Sequence, residues 1–148
     1  MRYTKATILA VSTLVVWLAL PGTAAGQDYK VVVNEANTIK EISQQQITRC
    51  FMKQMSKWPN GVPVTPVDQA AGSAVRESFS ENVLGRDVSA VKSYWQRQIF
   101  SGRGVPPPEK ASDGEVLAFV RANPGAVGYV ASDTDLGTGV KLLRVTSD

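Results

Sequence analysis

The segment from Val62 to Phe79 constrains the fold of this chain more than any other part of the sequence. It reads as a short apolar strand over 62–67, a loop of small residues and then a helix beginning near Ser73. A strand that leads at once into a helix is the building unit of α/β domains. The N–H groups of a helix's first turn have no partner within the helix and attract anions, so Gly72, Ser73 and Ala74, with Arg76 one turn on, form a candidate anion site. An ordinary structural turn has the same pattern, and both interpretations stay open.

The rest of the chain alternates between predicted strands and helices, which favours one α/β domain. Ser43 and Gln46 form a capping box, and Gly85 ends the helix that begins at Ser73. Asp87 caps a further helix, whose predicted apolar face includes Ile99. The predicted strands are 29–33, 62–67, 126–130 and 140–145, and the predicted helices are 43–57, 73–84, 87–100 and 112–123.

Residues 1–25 have the layout of a secretory signal peptide and are left out of the fold. A basic start with Arg2 and Lys5 precedes an apolar run from Thr7 to Leu20, and small residues follow up to a cleavage point near Ala25. An uncleaved anchor is the alternative interpretation, although the run is short for a membrane span. We therefore expect a single domain over 26–148, exported to the periplasm or secreted. Without the two cations of the leader the net charge of +3 falls to +1, which does not favour nucleic acid as a partner.

The residue types needed for common catalytic and metal sites are scarce. The chain has no histidine and a single cysteine, Cys50, whose apolar neighbours predict a buried, unreactive thiol. Asp133 and Asp135 predict a solvated turn more than a calcium loop. We expect no enzyme, no metal and no cofactor.

A second loop and the aromatic residues are two further candidate binding features. The loop from Ser101 to Gly104 places glycines beside Arg103, but a plain surface connection is the favoured interpretation. The aromatic residues, which include Trp95, Phe100 and Tyr129, are expected in the core and not on a stacking platform for nucleic acid.

Four stretches together resemble the phosphate-binding proteins of ABC transporters. They are Trp58-Pro59-Asn60-Gly61, Gly72-Ser73 before a helix with Phe79, Tyr94-Trp95 with Phe100-Ser101-Gly102, and 123–130, which reads Asn-Pro-Gly-Ala-Val-Gly-Tyr-Val. The resemblance implies one lobe of a type-2 periplasmic binding protein, with a central mixed sheet flanked by about four helices. It also implies phosphate or a similar oxyanion as ligand, and an ABC permease or another envelope protein as partner.

The match at the ligand turn is partial. Gly72 and Ser73 agree with the family's phosphate-binding turn, whereas Gln69 stands near the place of the family's arginine and Ala71 near that of its aspartate. Ala74 replaces the second glycine. The resemblance therefore implies ligand contacts by Gln69, Gly72, Ser73, Ala74 and Arg76, and only weak binding. The alternative is a protein-interaction or self-associating module, such as a homodimer, built on a lobe without a ligand.

Overall fold

The computed structural model describes residues 28–148, so the predicted signal peptide lies outside the described residues. The helices are α1 (Gln44–Phe51), α2 (Ala74–Phe79), α3 (Val88–Phe100) and α4 (Asp113–Ala122); α2 continues into a π-helical turn, Ser80–Leu84. The strands are β1 (Tyr29–Asn34), β2 (Glu41–Ser43), β3 (Thr65–Pro66), β4 (Asp68–Gln69), β5 (Glu109–Lys110), β6 (Ala126–Ala131), β7 (Val140–Leu142) and β8 (Arg144–Thr146). Within residues 28–148 no helix is both long and apolar enough to cross a membrane.

The central sheet is mixed, as the sequence analysis predicts, and has the order β3-β6-β1-β7. Strand β1 pairs antiparallel with β6 and β7, whereas β3 runs parallel to β6. Two further pairs, β2 with β8 and β4 with β5, form short parallel sheets. In the second of these short sheets, strand β4 lies directly before the turn that leads into α2.

The central sheet has a hydrophobic core on each face, because its strands alternate in side-chain direction. Val31 and Val33 of β1 pack with α1, α2 and Tyr129, while Val32 packs with Val116 and Val120 of α4 on the other face. This is a three-layer α/β arrangement.

The predicted helix starts agree with the structure. Ser43 and Gln46 make the expected capping box, with both hydrogen bonds at 3.2 Å. Asp87 caps α3, and Gly85, with φ of 63°, ends the π-helical turn. These features depend on bonds between residues a few positions apart, which sequence patterns indicate well.

Several predicted bounds were wrong. Strand 62–67 reduces to β3, in part because Pro63 has no N–H to donate to a sheet, and β4 begins after Val67. Helix α1 ends at Phe51 and not near Lys57. The predicted last strand is interrupted at Leu143, so that β7 joins the central sheet and β8 pairs with β2.

Two apolar side chains expected in the core are exposed. Phe100 is 92% exposed and Ile99 is 52% exposed, both in the last turn of α3. Only Val91 and Trp95 of this 13-residue helix are buried, so most of its surface faces solvent. The periodicity of α3 predicts a longer buried face than the fold provides.

Candidate functional site

The predicted anion turn connects β4 to α2. Ser73 is the N-cap of α2, and its hydroxyl oxygen accepts a hydrogen bond from the Arg76 N–H at 3.3 Å. The same hydroxyl donates to Oε1 of Gln69 at 2.7 Å. Ser73 therefore caps the helix and also bonds to the strand before it, while Gly72 and Ala74 flank it in the turn.

Gln69 is buried and links three elements of the fold. Its Nε2 donates to Oδ1 of Asp113 at 2.6 Å and to the Tyr129 carbonyl oxygen at 3.0 Å. With Oε1 occupied by Ser73, the whole side-chain amide is engaged inside the protein. Gln69 stands where the resemblance would place an arginine, and here it bonds to the protein itself.

The Arg76 guanidinium is also occupied by internal partners. The residue is only 5% exposed, although arginine is rarely buried. Its Nη2 lies 3.3 Å from Oδ2 of Asp68, and its Nη1 lies 3.0 Å from Oε1 of Glu109 and also donates to the Gln69 carbonyl. The positive charge expected to attract an anion is therefore matched by two carboxylates.

The pairing of β4 with β5 explains this arrangement. In the register of these parallel strands Asp68 is the partner of Glu109, so two carboxylates lie side by side. Like charges in neighbouring positions repel, and a cation between them removes that cost. Arg76 supplies the cation from the first turn of α2.

Asp68 is the buried centre of this network. Its Oδ1 accepts hydrogen bonds from the Tyr129 hydroxyl and, at 3.0 Å, from the Gln69 N–H. Burial raises the pKa of the Asp68 carboxyl above its ordinary value, and the charge of Arg76 and these two hydrogen bonds act in the opposite direction. Burial, followed by the Asp68 charge, raises the pKa of Tyr129, which keeps this hydroxyl a proton donor.

A cavity of about 330 Å³ opens between this network and α3. Asp68, Arg76 and Glu109 supply its charged wall. The remaining lining residues come from the turn, α3 and the loop after α3, and are Ala71, Val88, Lys92, Trp95, Gln96, Ile99 and Pro106. The volume is at the lower end of the range for small-molecule sites. Its wall holds both signs of charge, so the cavity as a whole does not favour a single anion.

The structure brings the five predicted site residues together, but three of them bond to other groups of the protein. Gly72, Ser73 and Ala74 form the turn, whereas Gln69 and Arg76 bond to neighbouring protein groups and Ser73 bonds to the Ala70 carbonyl oxygen and to Gln69. Sequence reasoning missed Asp68, Glu109, Asp113 and Tyr129 as their partners. The sequence does contain one signal for these partners, which is Arg76 itself. It is a basic residue at a buried position of α2, and a buried guanidinium requires carboxylate partners.

Other candidate chemistry in the described part of the chain is sparse. In residues 28–148 no three His, Cys, Asp or Glu side chains lie close enough together to hold a metal ion. Cys50 is fully buried, and burial raises the pKa of its thiol to about 12. The predicted burial of Cys50 is confirmed.

No family model and no curated protein sequence matches this chain. Solved structures do match. An ABC-type phosphate transport receptor from Vibrio cholerae is 21% identical, with a TM-score of 0.59 over 80% of this chain and 46% of the receptor. PstS from Borrelia burgdorferi is 12% identical, with a TM-score of 0.60 over 80% of this chain and 47% of its own. A protein from Clostridium perfringens with bound phosphate is 19% identical, with a TM-score of 0.61 over 80% of this chain and 44% of its own.

These likenesses establish the fold. The chain spans less than half the length of the structures it matches. Those structures are substrate-binding receptors and not enzymes, in agreement with the sequence analysis. This chain therefore has the mixed α/β fold of part of a periplasmic binding protein, and the solved structures that it resembles are phosphate receptors.

Proposed function

We propose that this chain is an exported, non-catalytic, substrate-binding-like domain that holds phosphate or a similar oxyanion weakly. Residues 1–25 would be removed as the signal peptide, and residues 26–148 would act as one domain in the periplasm or outside the cell. The N–H groups of Gly72 and Ala74 would contact the anion, because the Ser73 N–H already donates to the Ala70 carbonyl oxygen at 2.9 Å and the Ser73 hydroxyl to Oε1 of Gln69 at 2.7 Å. An ABC permease or another envelope protein would be the partner of the domain.

The observation that supports weak binding is that the Arg76 guanidinium already pairs with Asp68 and Glu109. A buried oxyanion is held well only when most of its oxygens receive hydrogen bonds, and each missing bond costs about 1–3 kcal/mol. Here the donors of Arg76, Gln69 and Ser73 bond to groups of the protein itself, and the remaining donors, the N–H groups of Gly72 and Ala74, lie on one turn. A site of this kind is consistent with a Kd on the order of 1 mM, which corresponds to about 4 kcal/mol.

Isothermal titration calorimetry with phosphate and with sulfate tests the proposal. We expect a Kd on the order of 1 mM for the unaltered protein, weakened by Ser73→Ala, which removes the hydroxyl that caps α2 and holds the turn to Gln69. Ser43→Ala is the matched control, because Ser43 caps α1 through the Gln46 N–H at 3.2 Å and its strand β2 pairs with β8 and not with β4. No heat from either anion, or equal weakening by both variants, would contradict anion binding at the turn.

Alternatively, the chain is a protein-interaction or self-associating module without a small ligand. The observation in its favour is the large solvent-exposed surface of α3, beside a cavity with apolar walls at Val88, Trp95 and Ile99. Light scattering over a hundredfold range of protein concentration separates the two functions. A monomer throughout would contradict self-association, and a dimer combined with no anion binding would favour it.

A further inference from the structure

The strongest unexplained feature is an exposed apolar tip at the end of α3, formed by Ile99, Phe100 and Val105. Their exposed fractions are 52%, 92% and 61%. A phenyl ring exposed to this extent makes almost no contact with its own chain. Clustered exposed apolar side chains mark an interaction surface more often than single ones do. The predicted phosphate turn and the Arg76 network do not use any of these three side chains.

The loop that carries the tip is held against the end of α3. The Ser101 N–H donates to the Arg97 carbonyl at 3.1 Å, the Gly102 N–H to the Ile99 carbonyl at 3.0 Å and the Arg103 N–H to Gln98 at 2.9 Å. Gly102 has φ of 65°, a backbone conformation that glycine adopts without strain. The tip is therefore already shaped, and binding through it has a small ordering cost.

The charge around the tip is of one sign. Residues 93–108 contain Arg97 and Arg103 and no aspartate or glutamate. Lys53 adds a third cation, because its Nζ lies 3.5 Å from the Pro106 carbonyl oxygen. Glu109, the first acidic residue after this segment, lines the cavity beside α3 together with Asp68, Arg76 and Lys92, and these two carboxylates and two cations balance each other.

The opposite end of α3 has a net negative charge, since three carboxylates lie there with one cation, Arg86. Asp87 caps the helix there, and Glu77 and Glu81 line a cavity with Asp87 and Val88. The helix therefore has an acidic start and a basic end, and the apolar tip lies at the basic end. This polarity gives a direction in which the domain would approach a negatively charged surface.

We propose that the apolar tip docks on an anionic lipid bilayer. Phe100 and Val105 would enter the boundary between head groups and acyl chains, while Arg97 and Arg103 contact lipid phosphates. Surface-bound protein segments use this combination of a few apolar side chains with flanking cations. The chemistry recognised is a lipid surface with net negative charge, such as one rich in phosphatidylglycerol.

Charge and size favour a bilayer, and not a second copy of the chain or another protein, as the partner of the tip. A second copy docked tip to tip would place two sets of cations against each other, which is unfavourable. A stable protein interface buries about 800 Å² on each partner, more than three tip side chains supply. A bilayer needs only a small projecting apolar surface, and each nearby cation strengthens binding about fivefold.

Flotation with lipid vesicles tests this inference. The sample is the exported form of the protein, purified after the cell has secreted it. The probes are vesicles of equal parts phosphatidylglycerol and phosphatidylcholine, and vesicles of phosphatidylcholine alone, at 0.1 M and 0.5 M salt. We expect binding to the anionic vesicles at 0.1 M salt, and much less binding at 0.5 M salt or without the anionic lipid. Phe100→Ser should weaken binding about tenfold, and Arg97→Gln with Arg103→Gln about 25-fold.

Matched variants elsewhere on the surface serve as controls. Leu142→Ser removes a 55% exposed apolar side chain of β7, and Lys40→Gln with Arg144→Gln removes two exposed cations. These variants should bind as the unaltered protein does. Equal weakening by tip and control variants, or no binding to anionic vesicles, would overturn the inference. A dimer that Phe100→Ser abolishes would overturn it in favour of a second copy as the occupant.

Discussion

Replacing Arg76 by methionine would leave the buried Asp68 carboxylate without its cation. The Asp68 side chain is 7% exposed, so water cannot replace the lost charge. Removing one partner of a fully buried ion pair costs about 3–5 kcal/mol. Asp68 keeps its hydrogen bonds from Tyr129 and the Gln69 N–H, which places the loss at the lower end of that range. The Glu109 side chain is 49% exposed, and its share is under about 1 kcal/mol.

We therefore expect Arg76→Met to lower the free energy of unfolding at pH 7 by about 3–4 kcal/mol. Urea unfolding followed by circular dichroism measures this loss. The double variant Asp68→Asn with Arg76→Met provides the control, because it removes the stranded charge but keeps an oxygen acceptor for Tyr129. It should be about 2 kcal/mol more stable than Arg76→Met alone.

The pH dependence gives an independent check. A carboxyl whose pKa is raised by folding binds its proton more tightly in the native state, so its contribution to stability falls as pH rises through that pKa. Without Arg76 the pKa of Asp68 should rise further. The gap between Arg76→Met and the double variant should then narrow as the pH is lowered through that pKa. A loss under about 1 kcal/mol, or a double variant no more stable than the single one, would refute a charge-balancing role for Arg76.

Two further predictions concern the core. Gly128→Ala should destabilise the protein by about 1–3 kcal/mol in thermal or urea unfolding, because the added Cβ would lie 2.8 Å from methyl groups of Val67 and Val116; an unchanged midpoint would mean that these side chains move aside freely. Cys50 should not react with a thiol reagent such as 5,5′-dithiobis(2-nitrobenzoate) at pH 8 in the native protein, since the pKa of its thiol is raised to about 12, and it should react once urea unfolds the chain. Rapid labelling of native protein would contradict the burial of this residue.

The sequence predicts the features that depend on neighbouring residues. The capping box at Ser43 and Gln46 and the N-caps at Ser73 and Asp87 all form as expected. The apolar run at 126–130 becomes the buried strand β6. Each of these features involves groups within a few positions of one another, so the local pattern contains most of the information.

The environment of Arg76 could not be predicted in the same way. Its partner Glu109 lies 33 positions further along the chain and reaches it through the pairing of β4 and β5, strands of two residues each. Strands this short have no detectable periodicity. The exposure of Phe100 was missed for a related reason: apolar spacing indicates which residues could share a helix face, but not how much of that face the rest of the protein covers.

The turn from Asp68 to Arg76 shows which features the sequence determines and which features the tertiary structure determines. The sequence by itself determined a strand, a small-residue turn and a helix capped by Ser73, because capping and chain reversal are local. Only the tertiary structure decided where the side chains of Gln69 and Arg76 would bond, because it brings Glu109 and Asp113 beside them from distant segments. Buried polar groups must find partners, and those partners depend on the packing of the whole domain.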